Sequence, residues 1–168
     1  MSERARAITD RLRAGGVEVA AYLPDSWLTP LIDQVIDDPA ITHVRVSRED
    51  DAMAVAGGAA LMGKRAAVLC QNAGMLLSAN VLAAFALHHQ LPLVIVAAAR
   101  GEANDGFYYQ MYKGQVSADV AAAIGLTVHH VNGPEDDWLF ERASEQAWLQ
   151  RRPVVLLCSR DALLGSAA

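Results

Sequence analysis

The sequence predicts an α/β fold: a three-layer α/β/α arrangement around a six-stranded parallel sheet. Strand-like runs of five to seven residues alternate with helix-like segments along the 168 residues. Most of these runs are continuously apolar, as strands buried on both faces are. The composition is 53% hydrophobic but 6% aromatic, with much alanine, which suits helices packed tightly on a sheet.

The elements follow in order. A first helix spans residues 2–14 and stops at Gly15-Gly16, and a strand follows at 17–23. Pro24-Asp25-Ser26 then opens a helix that ends before Asp38-Pro39. The second strand, 42–46, leads into a helix of small residues at 52–63. Strand three (66–70) precedes a helix at 76–88, and strand four covers 93–98. A polar loop with several aromatics is expected from Arg100 to about Tyr112. A helix near 117–124, a strand at 127–131, a helix at 135–150 and a strand at 154–158 complete the pattern. Without repeat or linker, residues 1–168 read as one domain.

Bulk properties exclude several classes. A net charge of -5 without a basic stripe argues against nucleic acid. Cys70 and Cys158 lack CxxC spacing and end apolar runs, so buried reduced thiols and a cytoplasmic setting are expected. The charged start reads as a helix, not a signal peptide. His88-His89-Gln90 and Pro92 interrupt the longest apolar stretch, which therefore reads as a helix and a strand, not a membrane span. No dinucleotide-binding GxGxxG, P-loop, HExxH or GxSxG is present, and no metal ligand set is expected.

In a parallel sheet, the segments after strands one to four share one edge, where such folds hold their ligands. They are Pro24-Asp25-Ser26, Arg48-Glu49-Asp50, Gln71-Asn72-Ala73-Gly74 and Arg100-Gly101-Glu102. The opposite edge receives Gly63-Lys64-Arg65, His88-His89-Gln90 and Arg151-Arg152, ordinary helix ends. Glu49 is the most informative residue. A carboxylic group held away from water at such a junction trades protons near neutral pH. The plain alternative is an acidic first helical turn favoured by the helix dipole. Asp25 and Ser26 are open to substrate contact or simple N-capping. Phe107, Tyr108, Tyr109 and Tyr112 are open to ligand stacking or to packing beneath a loop.

These segments carry a resemblance. Tyr22 to Leu28, Ser47 to Ala52, Gln71 to Gly74, Leu91-Pro92-Leu93, Arg100-Gly101-Glu102 and Pro153 to Asp161 occur in the order seen in the sulfopyruvate and phosphonopyruvate decarboxylases. The chain resembles the pyrimidine-binding (PYR) domain of these thiamine diphosphate-dependent enzymes over nearly its whole length. The resemblance implies that Glu49, nine residues before Gly58, is the family's catalytic glutamate, hydrogen-bonded to the aminopyrimidine ring nitrogen. It places Gln71, Asn72 and Gly74 at the cofactor, and Asp25 and Ser26 near the substrate. An acidic substrate needs donors, for which Arg48, Arg100, Lys113, Gln115 and the Gln71-Asn72 pair are candidates. Two features depart from the family. Met75 stands where related sequences carry a second glycine, and no histidine pair follows strand four, only Asn104-Asp105-Gly106 and the tyrosines.

The Gly-Asp-Gly motif that holds diphosphate and Mg2+ in thiamine enzymes is absent. The resemblance therefore implies an α subunit whose β subunit supplies diphosphate and metal, with Gly57 and Gly58 at a close interface. The expected activity is decarboxylation of 3-sulfopyruvate to sulfoacetaldehyde. Alternatives are a phosphonopyruvate decarboxylase α subunit, an acetolactate synthase-like carboligase subunit, and a non-enzymatic flavodoxin-like regulatory module.

Overall fold

A computed structural model describes residues 2–102 and 105–165. Asn104 lies outside them. Six parallel strands form one sheet: β1 (Val17–Tyr22), β2 (Thr42–Arg45), β3 (Arg65–Gln71), β4 (Leu93–Ala98), β5 (Thr127–Val131) and β6 (Val154–Cys158). Their order is β2-β1-β3-β4-β6-β5. The helices are α1 (Glu3–Ala14), α2 (Thr29–Asp37), α3 (Glu49–Leu61), α4 (Asn72–Leu77), α5 (Ala79–Val81), α6 (Tyr108–Ala123), α7 (Trp138–Gln150) and α8 (Arg160–Leu164). No described helix is long and apolar enough to cross a membrane.

The layers follow from strand geometry. Side chains alternate across a strand, so Val94, Val96 and Ala98 enter one core while Leu93, Ile95 and Ala97 enter the other. The first core is closed by α1, α2, α7 and α8 through residues such as Ile8, Leu31, Phe140 and Leu163. The second is closed by α3, α4, α6 and the segment after α5 through Met53, Met75, Ala121 and Leu82. Six of six residues of β4 are buried, which is why the run carries no polar residue. β2 lies at the sheet edge and is mostly exposed, which accounts for its alternating Thr-His-Val-Arg sequence.

α8 (Arg160–Leu164) has no counterpart in the sequence reading, and three other elements differ from it. The small-residue helix starts at Glu49, so the candidate glutamate is its first residue. The helix expected at 76–88 is α4, α5 and then a π-helical segment, Leu82–Leu87. Gly57 of α3 faces that segment: a Cβ there would collide with Phe85, so its small size serves an internal contact, while Gly58 faces open space. The loop expected to reach Tyr112 ends early, because α6 begins at Tyr108. Gly101 and Gly114 bring these segments together, since a Cβ on Gly114 would lie 2.8 Å from the Gly101 carbonyl oxygen.

Register sets the carboxyl edge. Tyr22 pairs with Arg45 and Leu69, Gln71 with Ala98, and Ala98 with Cys158. β3 thus runs two residues beyond the level of Tyr22 and raises Gln71 toward the segment after β1. At the other edge Lys64 pairs with Glu18 and Arg65 donates to the Gly15 carbonyl. His88 and His89 are exposed at that same edge, with ring centroids 4.8 Å apart.

Candidate active site at the carboxyl edge of the sheet

Glu49 owes its place to the junction between β2 and α3. Arg48 is extended (φ -142°, ψ 147°), and Glu49, Asp50 and Asp51 fill the first turn, where the helix dipole favours carboxylates. The Arg48 guanidinium is tied to Asp50, with Nε–Oδ1 at 3.0 Å and Nη2–Oδ2 at 2.9 Å. That hydrogen bond holds the Asp50 carboxyl below the usual range.

The Glu49 side chain is half-buried and packs against Gly74 in α4. A Cβ at position 74 would collide with its Cγ and lie 2.5 Å from Cδ and Oε1. A side chain at 74 would therefore displace the glutamate from this position. Among the described residues, the Glu49 carboxylate accepts no hydrogen bond and makes no ion pair. Directly beneath, on β3, Cys70 is buried. Burial pushes its thiol up, and the charges of Glu49 and Asp25 add to the effect.

Asp25 is bound on all sides. Its Oδ1 accepts from the Trp27 backbone N–H at 2.9 Å. Its Oδ2 accepts from Gln71 Nε2 at 2.9 Å and from Arg100 Nη1 at 3.0 Å. The Arg100 guanidinium is 6% exposed and meets a second carboxylate, Asp105, through Nε at 3.0 and 3.1 Å and Nη2 at 2.7 Å. Nη1 also reaches Ser26 Oγ at 3.2 Å. Trp27 lies under the guanidinium at 4.4 Å and Phe107 at 5.7 Å. The Asp105 hydrogen bonds hold Arg100 firmly protonated. Burial works to raise the Asp105 carboxyl, but Arg100 and the Gly101 N–H outweigh it and hold it below the usual range. Arg100, expected to face a substrate anion, is thus engaged inside the protein.

Asn72 is fully buried. Its Nδ2 donates to the Arg100 carbonyl at 2.8 Å, and its Oδ1 accepts from the Ala73 N–H, so it joins the ends of β3 and β4. Its face opens on a pocket of about 260 Å³, also lined by Glu102, Gln115, Ser117, His130 and Leu157. Burial raises the Glu102 carboxyl, Asp161 adds to this, and His130 opposes it. Lys113, half-buried on α6, has Nζ 5.7 Å from the Tyr109 ring centroid. Tyr108 and Tyr112 are 88% and 72% exposed, so they do not pack beneath a loop.

The four segments grouped from sequence are therefore brought together at one edge, with Asp25, Gln71 and Arg100 in direct contact and Glu49 seated on Gly74. Lys113 and Gln115 stand on α6 beside them. Trp27 and Asp105 were missed. Trp27 directly follows Asp25-Ser26, and Asp105 is a lone aspartate in a polar loop, so only the nearby arginine hints at either.

Relatives are consistent with this geometry. The sulfopyruvate decarboxylase subunit alpha of Methanothermobacter thermautotrophicus is 28% identical over 134 residues, covering 80% of this chain and 81% of that protein. The subunit of the same name from Methanococcus maripaludis is 26% identical over 152 residues, covering 90% and 91%. A phosphonopyruvate decarboxylase from Streptomyces viridochromogenes is 38% identical over 90 residues, which is 54% of this chain and 23% of that protein. Among solved structures, benzoylformate decarboxylase from Polynucleobacter necessarius shares the fold with a TM-score of 0.79 at 20% identity, over 100% of this chain and 32% of that one. Residues 3–123 match the family described as thiamine pyrophosphate enzyme, N-terminal TPP binding domain. With its glutamate at the carboxyl edge and that match over most of its length, the chain belongs to the thiamine pyrophosphate enzyme family.

Proposed function

We propose that this chain is the α subunit of a two-subunit, thiamine diphosphate-dependent decarboxylase that converts 3-sulfopyruvate to sulfoacetaldehyde and carbon dioxide. The observation that carries the reading is the Glu49 carboxylate: half-buried, seated on a glycine, and without a partner among the described residues. A carboxylate so placed is free to serve a ligand. Gly74 lies against it and Gln71 stands on the same sheet edge, so the residues fit the pyrimidine end of the cofactor. The bound cofactor supplies an electron sink for the pair left by departing carbon dioxide. Glu49 Oε holds and passes a proton at the pyrimidine ring nitrogen. Asp25 and Ser26 line the substrate side, with Lys113 and Gln115 on α6 as donors toward its acidic group.

The β subunit would hold the diphosphate and Mg2+, since the chain lacks Gly-Asp-Gly. The length match to proteins named subunit alpha supports one PYR domain in a hetero-oligomer. Phosphonopyruvate is the second candidate substrate, favoured by the 38% identity to a phosphonopyruvate decarboxylase. Family membership weighs against a regulatory module.

The test is co-expression with a partner encoding Gly-Asp-Gly, followed by aldehyde and carbon dioxide assays on both acids with thiamine diphosphate and Mg2+. Turnover by the isolated chain would refute the split enzyme. Failure of the assembled complex on both acids would refute the decarboxylase.

A further inference from the structure

Arg100 holds more polar contacts than any other side chain at the carboxyl edge, and all of them are internal. Its donors are shared between Asp105, Asp25 and Ser26 Oγ, and its flat face is covered by Trp27. The side chains of Asp25, Arg100 and Asp105 are 7%, 6% and 0% exposed. One guanidinium thus faces two carboxylates, leaving the buried group with one net negative charge. A sulfonate or phosphonate brought to Arg100 would add a third anion to one cation. In a buried setting this is opposed by charge repulsion and by the loss of hydrogen bonds already made. Arg100 is therefore a poor receptor for an acidic substrate.

What Arg100 and Asp105 do is fix geometry. Asp105 Oδ2 accepts from the Gly101 N–H at 2.7 Å, and the Asp105 N–H donates to the Glu102 carbonyl at 3.0 Å, so Asp105 is tied to the residues that follow β4. Arg100, held by Asp105, reaches across to the segment after β1 and pins Asp25 Oδ2. Gln71 pins the same oxygen from β3, and the Trp27 N–H fixes the other. Three strand ends thus hold one carboxylate in one orientation. Phe107, at the start of α6, covers the guanidinium from the loop side.

We propose that Arg100 and Asp105 are positioning residues for the Asp25 carboxylate, and that the acidic group of the substrate is read outside this triad. This rests on the reading of the carboxyl edge as a decarboxylase site. Displacing a reacting-site group by about 1 Å costs on the order of 10²-fold in rate. A lost anion receptor weakens binding of the acidic substrate in particular.

The test uses the complex with its partner subunit and the variants Asp105→Asn, Arg100→Lys and Arg100→Ala. Turnover is measured on sulfopyruvate and on pyruvate. Asp105→Asn is expected to lower kcat by about 10–10²-fold, with KM for the acidic substrate changed less than about threefold. Arg100→Lys should fall between wild type and Arg100→Ala, because lysine keeps the charge but not the fork. If Arg100→Ala does not fold, the other two variants carry the test. A KM for sulfopyruvate that rises tenfold or more relative to pyruvate, with kcat retained, overturns the proposal. A second readout needs no turnover: thermal unfolding of the chain with Asp25→Asn, Asp105→Asn and both. Coupled losses, smaller together than their sum, support the clamp even if the complex decarboxylates neither acid, an outcome that would refute only the decarboxylase reading. Additive losses overturn the clamp whatever the turnover.

Discussion

Glu49 and Asp25 are carboxylates on the same sheet edge, yet their surroundings are opposite. Glu49 touches a glycine backbone and accepts no hydrogen bond among the described residues. Asp25 accepts three, from Trp27, Gln71 and Arg100. A folded chain satisfies its buried polar groups unless something outside the chain is to satisfy them. The contrast separates a half-buried carboxylate that no other described residue engages, as the proposed role in cofactor binding needs, from one that three donors fix in place. Pattern alone does not separate them, since each follows a strand and opens a helix or turn.

The largest effect that would break this contrast is loss of the free carboxylate. Glu49→Gln should reduce turnover of the assembled enzyme by about 10²–10⁴-fold while leaving the unfolding temperature within a few degrees of wild type. Near-normal turnover of the folded variant would return Glu49 to the role of a helix-start residue.

On the saturated side, the cost falls on stability. Removing one partner of a buried ion pair typically costs about 3–5 kcal/mol, so Asp105→Ala should lower the denaturant midpoint strongly at neutral pH. The folded-state pKa of Asp105 lies below its unfolded value. Its stabilisation is therefore present above the ordinary carboxylate range near ~4 and is lost as pH falls through the folded value. Wild type and variant should converge in acid, and a gap that stays constant with pH would contradict the ionised pair.

Gly74→Ala probes the seat itself. Overpacking of this kind costs roughly 1–3 kcal/mol. The cost should shrink when Glu49 is also replaced by Ala, which unfolding of the two single variants and the double variant would measure. An unchanged cost in the double variant would show that the glycine answers to something other than the glutamate.

The smallest effect concerns Glu102, whose carboxyl is raised by burial and by Asp161. A raised acid contributes its stability below the unfolded pKa and loses it as pH climbs through the folded one. Glu102→Gln should therefore stabilise the chain slightly at pH 7 relative to wild type, and not below the ordinary carboxylate range, by unfolding temperature.

The sheet was readable because its central strands are buried on both faces, and β4, β5 and β6 fall on the residues expected. α6 was read nine residues short. Tyr108, Tyr109, Tyr112 and Gly114 are weak helix formers, and the approach of Gly114 to Gly101 is visible only in the folded chain. The π-helical turn at Leu82–Leu87 was hidden because its leucines and alanines suit an ordinary α-helix equally well. At the site, the grouping of strand ends followed from parallel topology alone. The commitment of Arg100 did not, because nothing local marks Asp105 as its partner.

The position of β6 bears on how the chain is made. β6 is the last strand in sequence but lies inside the sheet, between β4 and β5. β5 is an edge strand whose sheet neighbour is β6. During synthesis, residues 127–131 emerge with no strand to join, and β4 offers an unpaired apolar edge, until residues 154–158 follow. Until residues 154–158 emerge, the nascent chain thus exposes two unpaired strand edges, and in that interval it is open to faulty association.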